Sequence, residues 1–216
     1  MGLKMKMEPT AKIQKLSELA NFFYTIFHRM TRYGYMTKTI FLAGGCFWGT
    51  QHYLNQINGI IETQTGFANG NEEYSERVAT GNGPTYEEVY TDTTGFAETV
   101  RVVYDDEVLS LKKLLSLYFL CIEPTSVNRQ GEDEGTRYRT GIYYIDPEDL
   151  PIIREVYHEV EHGYSGPLAV EVEPLRVFQP ATEYHQDYLT KHPDGYCHLP
   201  EALFEMARRA NKKGER

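Results

Sequence analysis

The sequence predicts an α+β fold, a two-layer α/β sandwich in which helices pack on a mixed, largely antiparallel sheet. Two observations predict it. About five short β-branched or apolar runs alternate with segments of helical periodicity. Several of the links between them have hairpin length, which favours antiparallel neighbours. The 216 residues are enough for one domain with a substantial core, with or without a tail.

Residues 1–35 are predicted to form an N-terminal helical extension before a main domain of residues 36–216. The apolar residues of the extension recur at three- and four-residue steps, as along one face of a helix: Ile13, Leu16, Leu19, Phe23 and Phe27. Two interpretations stay open. The segment is a helix that packs on the domain, or it lies upstream of a translation start at Met36.

The first half of the main domain alternates predicted strands with a helix. Thr39–Ala43 is a β-branched and apolar run and predicts a strand, whereas Cys46–Ile57 places its apolar residues on one helical face. Ile60–Phe67 and Glu98–Tyr104 are predicted strands, the second because apolar and polar residues alternate along it. The Gly- and Asn-rich stretch Asn69–Pro84 between them is predicted to be a loop.

The second half contains three predicted helices: Ser110–Leu120, Pro151–His162 and Glu201–Lys212. Ser110 is a capping residue, and Gly163 ends the middle helix. Thr140–Ile145 and Leu168–Val172 are predicted strands, and Pro180–Gly195 is irregular with helical pieces. Together these elements predict a ferredoxin-like core, with helices covering the sheet.

Composition and charge narrow the class of partner. Hydrophobic residues make up 41% and charged residues 25% of the chain, as in ordinary soluble globular proteins. The net charge of −9 argues against a nucleic-acid partner, because phosphate binding needs clustered lysine and arginine. No run approaches the roughly 18 apolar residues of a membrane span, so no membrane association is expected. The 17 tyrosines favour a tyrosine-lined pocket.

The three cysteines are Cys46, Cys121 and Cys197, an odd number without metal-ligand spacing. They favour neither a disulfide framework nor a zinc site. One or two working thiols in a reducing compartment fit the pattern, so a cytoplasmic location is predicted. Cys121 lies at the end of an apolar helix and is predicted to be inert packing.

Cys46 lies where a predicted strand turns through Gly44 and Gly45 into a helix. The free N–H groups and positive dipole end of a helix start favour a thiolate, so a lowered pKa and a nucleophilic role are predicted for Cys46. Phe47 and Trp48 follow directly, and their rings are suited to wall a pocket for a small apolar group such as a methyl. The alternative interpretation is a buried cysteine at a tight turn.

The hexapeptide that contains this cysteine, and five further motifs, resemble the A-type peptide methionine sulfoxide reductases. The order and spacing of these motifs match the family from about Thr37 to Cys197. They are Gly44–Gly49 (GGCFWG), Gly83–Val89 (GPTYEEV), Thr94–Glu98 (TGFAE), Asn128–Arg139 (NRQGEDEGTRYR), Glu183–Tyr188 (EYHQDY) and Gly195–Cys197 (GYC).

The resemblance implies roles for four groups in the reduction of a sulfoxide. Cys46 attacks the electrophilic sulfur of the sulfoxide, whose oxygen leaves poorly unless it is protonated. Glu98 matches the acid of the family, and it needs a pKa raised well above the usual carboxyl range to hold its proton at pH 7. Tyr86 and Tyr138 match the tyrosines whose hydroxyls bind the sulfoxide oxygen as negative charge develops.

The resemblance also implies where the substrate sits. Phe47 and Trp48 match the apolar cage for the S-methyl group. Asp133 and Tyr188 match residues around the mouth of the site and the substrate backbone. The implied substrate is the S epimer of methionine sulfoxide, free or in oxidised proteins, and the implied cellular role is antioxidant repair of proteins.

A second thiol completes the implied cycle. Reduction leaves a sulfenic acid on Cys46, and Cys197 is the implied resolving cysteine that condenses with it to a disulfide. Thioredoxin, or another dithiol, then restores the two thiols without any bound cofactor. The enzyme is expected to be a monomer. An alternative in which Cys121 replaces or assists Cys197 stays open.

The sequence departs from the usual family pattern at three places without removing a named catalytic group. Phe96 stands where the family usually has histidine, and two other segments differ, Gly66–Gly70 and Ile122–Thr125. Phe96 could alter the pKa or the hydrogen bonding near Glu98. No cysteine follows Cys197, so a disulfide relay beyond it is not expected.

Three other interpretations are weighed against this one. His158–His162 (HEVEH) fits a zinc-protease pattern, but a solvated helix face is favoured because no third ligand follows. His185 could pair with Cys46 in an acyl hydrolase, although a structural hydrogen bond is favoured. A non-catalytic module could bind methionine-containing peptides through Phe47 and Trp48.

Overall fold

The computed structural model describes residues 37–210 of the chain. The predicted extension of residues 1–35 therefore lies outside the described residues, as do the last residues of the predicted C-terminal helix. Between residues 37 and 210, no helix is long and apolar enough to cross a membrane.

Six strands form the main sheet. They are β1 (Thr37–Gly44), β2 (Ile60–Ala68), β3 (Ala97–Asp105), β6 (Thr140–Tyr144), β7 (Glu171–Pro174) and β8 (Phe178–Pro180). The order across the sheet is β7-β6-β1-β3-β2-β8. The pairs β1/β6, β2/β3 and β2/β8 are antiparallel, whereas β6 and β7 run parallel. The predicted mixed, largely antiparallel sheet is thus confirmed.

Two very short strands form a separate hairpin beside this sheet, β4 (Arg129–Gln130) and β5 (Asp133–Glu134). The sequence pattern did not predict this hairpin or the three-residue strand β8, because such short runs show no clear alternation. Seven helices occur among the described residues: α1 (Phe47–Leu54), α2 (Glu72–Ala79), α3 (Tyr86–Tyr90), α4 (Leu111–Leu120), α5 (Leu150–Glu161), α6 (Tyr188–Lys191) and α7 (Glu201–Arg209).

Helix α2 corrects the prediction that Asn69–Pro84 is a loop. Asn71 caps the helix by accepting a hydrogen bond from the N–H of Tyr74 at 3.1 Å. None of the residues of α2 is fully buried, and only Tyr74 and Val78 pack against the core, so its apolar face is too small for periodicity to detect. Helix α3 is held by a capping box in which Thr85 and Glu88 each bind the other's backbone N–H.

The two faces of the sheet differ in what covers them. Ile40 and Leu42 of β1 belong to the main core, to which α1 and α4 contribute their buried residues. The alternate residues Phe41 and Ala43 lie on the other face, in a small cluster with Phe178 packed against it. Glu98 is two residues before Val100, a main-core residue of β3, and therefore shares the helix-covered face.

Candidate active site

Cys46 lies at the junction between β1 and α1, as predicted. It is the N-cap residue of α1 and is only 8% exposed. The hydroxyl of Thr50 donates to the carbonyls of Gly44, at 3.0 Å, and Cys46, at 3.2 Å, which fixes the turn. Gly45 has a φ of +80°, and a Cβ there would lie 2.5 Å from Cβ of Gln130. Only glycine suits this position, so the turn places the thiol in one orientation.

The pKa of the Cys46 thiol is raised well above its usual value, which corrects the predicted lowering. Burial is the largest cause, and the charge of Glu98 when ionised is the second. The N–H groups of Trp48 and Gly49 act on the sulfur in the opposite direction, as expected at a helix start. The loss of hydration outweighs the helix terminus, so Cys46 rests as a thiol.

Glu98 places a neutral carboxylic acid beside this thiol. Its side chain is 1% exposed, and Oε2 accepts a hydrogen bond from the N–H of Phe47 at 3.0 Å. Burial raises the pKa of Glu98 to about 8, against the opposing effects of the Phe47 N–H and the charge of Arg137. The same first turn of α1 therefore contacts the carboxyl group of Glu98 through one N–H and the Cys46 sulfur through two others.

Three tyrosines form a cluster of hydroxyl groups near Glu98. The hydroxyls of Tyr90 and Tyr138 are 3.1 Å apart, and the rings of Tyr86 and Tyr90 are separated by 4.6 Å. Burial raises the pKa values of Tyr86 and Tyr138 well above the usual range, and the charge of Glu98 contributes in the same direction at both. Tyr86 and Tyr138 thus remain protonated hydrogen-bond donors near the acid.

Tyr90 was missed by the sequence analysis. The spacing of four residues from Tyr86 was the available signal, since residues four apart share a helical face. The guanidinium group of Arg137 lies over the rings of Tyr90 and Tyr138, at 4.2 and 4.4 Å from their centroids. Asp92 holds that guanidinium group at 2.7 Å. Arg137, held by Asp92, therefore fixes the position of the rings that carry two of these hydroxyl groups.

An aromatic stack forms another wall of the site. Trp48 stacks on Tyr188 with ring centroids 3.8 Å apart, and its Nε1–H donates to Nδ1 of His185 at 3.2 Å. The His185 ring in turn stacks on Tyr86 at 4.5 Å. A cavity of about 690 Å³ opens along Trp48, Tyr86 and His185. Tyr188, which was predicted to lie near the mouth of the site, stacks on Trp48 at the end of this stack away from Tyr86.

His185 has a positioning role in this arrangement. It was missed as a site residue, although it was weighed as a partner of Cys46. Its Nδ1 is occupied by the indole of Trp48, and burial lowers the pKa of the ring. The histidine fixes the orientation of Trp48, which supports the structural interpretation over a cysteine–histidine hydrolase.

Cys197 lies beside the first turn of α1. A Cβ built on Gly49 would be 3.1 Å from Sγ of Cys197. The N–H of the same Gly49 acts on the Cys46 sulfur, so one glycine has both sulfurs as neighbours. Cys197 is half-buried and its Sγ accepts from the N–H of Leu199 at 3.4 Å. The structure thus brings the two predicted redox thiols to the same site.

Asp133 and His198 also lie near the two sulfurs. Asp133 is half-buried, and its Oδ2 is 3.4 Å from the hydroxyl of Tyr196 and 3.8 Å from Nδ1 of His198. Burial raises the pKa of Asp133 above its usual value. His198 was also missed by the sequence analysis, where the only signal was its place directly after Cys197.

Two sequence features lie apart from this site. Cys121 is buried and its thiol donates to the carbonyl of Tyr118 at 3.1 Å, which supports the packing interpretation. His158 and His162 are exposed, and Lys112 pairs with Glu159 at 2.6 Å. No group of three or more histidine, cysteine or acidic residues suited to a metal ion occurs in the described part of the chain.

A buried thiol, a neutral acid beside it, donor hydroxyls and a second thiol define a thiol-based oxidoreductase. The family model described as peptide methionine sulfoxide reductase matches residues 38–216. A curated relative, the peptide methionine sulfoxide reductase MsrA of Lachnoclostridium phytofermentans, is 50% identical over 175 residues, which are 81% of this chain and 100% of the relative. The chain belongs to the peptide methionine sulfoxide reductase family, and it is an A-type enzyme like that relative.

Solved structures agree with this assignment. Mxr1 from Saccharomyces cerevisiae in reduced form has a TM-score of 0.71 and 34% identity, covering 76% of this chain and 91% of that one. Methionine sulfoxide reductase A of Corynebacterium diphtheriae has a TM-score of 0.63 and 32% identity, covering 74% and 77% of the two chains. The predicted family and enzyme class are confirmed.

Proposed function

We propose that the enzyme reduces the S epimer of methionine sulfoxide, free or in oxidised proteins, through attack of the Cys46 sulfur on the sulfoxide sulfur. The observation that carries this proposal is the position of Glu98. Its buried carboxyl group has a pKa of about 8 and binds the N–H of Phe47, the residue next to Cys46. A carboxylic acid that keeps its proton at neutral pH is what a sulfoxide oxygen needs in order to leave.

The first half of the cycle moves an oxygen from the methionine sulfur to the Cys46 sulfur in two stages. Glu98 donates its proton to the sulfoxide oxygen while the Cys46 thiol loses its own and its sulfur bonds to the sulfoxide sulfur, so the S–O bond breaks and the oxygen leaves as water. The hydroxyls of Tyr86 and Tyr138 donate to this oxygen as its charge grows. A water molecule then adds to the Cys46 sulfur as the S–S bond breaks toward the methionine sulfur, and the proton that this water releases restores Glu98. The products are a thioether and a sulfenic acid on Cys46, so the methionine sulfur is reduced and the cysteine sulfur is oxidised.

The aromatic side chains position the substrate for this step. Phe47 and Trp48 form the cage for the S-methyl group, and Asp133 and Tyr188 line its entrance. Trp48 is held on one side by Tyr188 and on the other by His185, which supports a fixed cage wall. A rigid wall keeps the sulfoxide sulfur aligned with the thiol without ordering the site anew in each cycle.

Cys197 resolves the intermediate in the second step. Its sulfur attacks the sulfenic sulfur of Cys46, the S–O bond breaks, and water leaves as the disulfide forms. The shared contact with Gly49 supports this pairing. Thioredoxin, or another dithiol, then reduces the disulfide, and no bound cofactor takes part. Cys197 is less buried than Cys46, which makes it the more accessible sulfur for such a partner.

The remaining features of the proposal concern the whole chain. Residues 36–216 form the catalytic domain. The central order β6-β1-β3-β2, with α1 after β1 and α4 after β3, supports a ferredoxin-like core. The enzyme acts as a cytoplasmic monomer in protein repair and has no nucleic-acid or membrane partner. The negative charge of the chain supports the absence of a nucleic-acid partner.

Cys197→Ser tests the proposed cycle. The variant is expected to form about one methionine per enzyme and then stop when thioredoxin is the reductant, because the sulfenic acid lacks its resolving thiol. The measurement is methionine released from a methyl sulfoxide substrate, with the sulfenic acid trapped by dimedone. Repeated turnover of this variant with thioredoxin would contradict the role of Cys197. Release of product from an ester without reductant would favour a hydrolase, and binding without product would favour a binding module.

Gly49→Ala tests the placement of the two sulfurs. The added Cβ would lie 3.1 Å from Sγ of Cys197 and 3.1 Å from Cε1 of His198, closer than carbon usually approaches. Relieving such overpacking costs on the order of 1–3 kcal/mol, so closure of the disulfide is expected to slow about 10-fold. The rate of closure is measured as the loss of free thiols after a single turnover. Gly166→Ala is the control, since a Cβ there meets nothing within 4 Å. If Gly49→Ala formed the disulfide at the wild-type rate, Cys197 would not lie beside Gly49 during this step.

A further inference from the structure

The imidazole ring of His198 is buried beside the redox site with its hydrogen-bonding capacity only partly used. Its side chain is 3% exposed, and within residues 37–210 neither ring nitrogen makes a hydrogen bond of ordinary geometry, although the Gly44 carbonyl is close enough to act on the ring. Buried polar atoms are almost always paired, because an unpaired one has lost its water and gained nothing in exchange. A buried histidine with at least one unpaired nitrogen therefore suggests a group that is used in another state of the site.

The two nitrogens face different parts of that site. A Cβ on Gly45, the residue before Cys46, would lie 3.5 Å from Nε2 of His198. A Cβ on Gly49 would lie 3.2 Å from Nδ1 of His198 and 3.1 Å from Sγ of Cys197. Nε2 is thus on the side of the turn that carries Cys46, and Nδ1 is on the side of the resolving sulfur.

Several charged and titratable groups surround the ring and the resolving sulfur. Asp133 is 3.8 Å from Nδ1, Tyr196 binds the Asp133 carboxyl group, Cys46 and Cys197 are neighbours of Gly49, and the charge of Glu201 acts on Cys197. Burial lowers the pKa of His198 to about 4, with the Gly44 carbonyl acting in the opposite direction. The ring is neutral at physiological pH, so it holds one N–H donor and one free lone pair.

We propose that His198 carries the proton from the Cys197 thiol to the departing oxygen of the Cys46 sulfenic acid during disulfide formation. The inference rests on the proposed function, because it needs the sulfenic acid as an intermediate. Nδ1 accepts the proton of the Cys197 thiol as the S–S bond forms. Nε2–H gives its proton to the hydroxyl group as the S–O bond breaks, and water leaves.

Atoms and electrons balance in this step without an external reagent. The Cys197 sulfur is oxidised and the sulfenic sulfur is reduced to the same disulfide level. The imidazole changes only from the Nε2–H to the Nδ1–H tautomer, so no charged ring forms inside the protein. The new Nδ1–H faces the carboxyl group of Asp133, which favours the product tautomer. Proton exchange through solvent resets the ring after the disulfide is reduced.

His198→Gln tests the proposal by separating the two chemical steps. Reduced enzyme is mixed with excess N-acetylmethionine sulfoxide without reductant, and methionine and free thiols are followed in time. The variant is expected to form its first methionine at the wild-type rate. Disulfide closure is expected to slow about 100-fold, the usual contribution of a positioned acid–base group, with dimedone-trapped sulfenic acid accumulating in between. His162→Gln, which changes an exposed histidine, is the control.

The pH profile of closure distinguishes proton transfer from a packing role. Wild-type closure is expected to be nearly flat between pH 6 and 8, because the neutral ring removes the thiol proton. Closure in His198→Gln then depends on the Cys197 thiolate alone and is expected to rise about tenfold per pH unit. The proposal would be overturned if the rate of disulfide closure in His198→Gln were lowered by the same factor at every pH. It would also be overturned if that rate equalled the wild-type rate. If the variant does not fold, a tenfold rise per pH unit in the wild-type enzyme would overturn it equally.

The two proposals fail in different ways. If the wild-type enzyme forms no methionine in the first turnover, the proposed function is wrong. If methionine forms normally and closure is unaffected by His198→Gln, the assignment of His198 alone is wrong. Formation of a disulfide from Cys46 to Cys121, detected by mass mapping, would likewise leave the reductase chemistry intact and contradict the role of His198.

Discussion

Replacement of Cys46 by serine is expected to abolish sulfoxide reduction completely, including the first turnover. A serine oxygen is a far weaker nucleophile toward sulfur, and it cannot accept an oxygen atom as a sulfenic acid does. The N-cap position tolerates serine well, so the fold is expected to remain intact. The measurement is methionine formed per enzyme in a single turnover, with thermal unfolding as a check of the fold.

The matched control for this variant is Cys121→Ser. Cys121 is buried away from the site and its thiol donates to the carbonyl of Tyr118, a bond that a serine hydroxyl also makes. This variant is expected to keep both the first turnover and recycling by a dithiol. Methionine formation by the Cys46→Ser variant would contradict the proposed chemistry, and loss of recycling in Cys121→Ser would bring Cys121 into the cycle.

Replacement of Glu98 by glutamine is expected to lower the rate of the first turnover by about 100- to 10,000-fold, the range for loss of a positioned general acid. Glutamine keeps the carbonyl oxygen that accepts the N–H of Phe47, but it has no proton to give to the sulfoxide oxygen. The first-turnover rate measured from pH 6 to pH 9 provides the test. Wild-type activity is expected to fall as the pH rises through about 8, the pKa of Glu98.

The glutamine variant is expected to lack this alkaline decline, because its amide does not ionise in the range. If the activity of wild type and of Glu98→Gln declined equally at alkaline pH, the decline would belong to a group other than Glu98. The free energy of unfolding of the wild-type enzyme is expected to fall with rising pH as well. The folded-state pKa of Glu98 lies above the usual 4.5, so its stabilising contribution is complete below pH 4.5 and is lost as the pH rises to about 8. Glu98→Gln is therefore expected to resist unfolding better than wild type at pH 8, as measured by denaturant titration.

The longer strands and helices were predictable because their side chains alternate between environments. In β3, the buried residues Val100, Val102 and Tyr104 alternate with the partly exposed Arg101 and Val103, and Ser110 marks the start of α4. Helix α2 was missed because all its residues are at least partly exposed, and only the cap at Asn71 distinguishes it from a loop. The spacing of apolar residues in a sequence indicates which side chains are buried, so helices and strands with few buried side chains are hard to predict.

The sequence indicated the strand-to-helix turn at Cys46 better than it indicated the energetics of the thiol. The helix start at Cys46 is visible in sequence, and it correctly indicates backbone N–H groups directed at the sulfur. The loss of water around that sulfur depends on Glu98 and on chain segments distant in sequence, so the sign of the pKa change was wrong. His185 and His198 owe their importance to three-dimensional neighbours, Trp48 and Gly49, which no local pattern reveals.

The unequal exposure of the two sulfurs decides which end of the proposed Cys46–Cys197 disulfide a reductant attacks. Cys46 is 8% exposed, whereas Cys197 is half-buried. An incoming thiolate is therefore expected to bind covalently to Cys197, making a mixed disulfide there and expelling Cys46 as the leaving group. A thiolate that is costly to bury leaves slowly unless it gains a proton, and the neutral acid at Glu98 is placed to supply it. The same carboxyl group then serves both halves of the catalytic cycle.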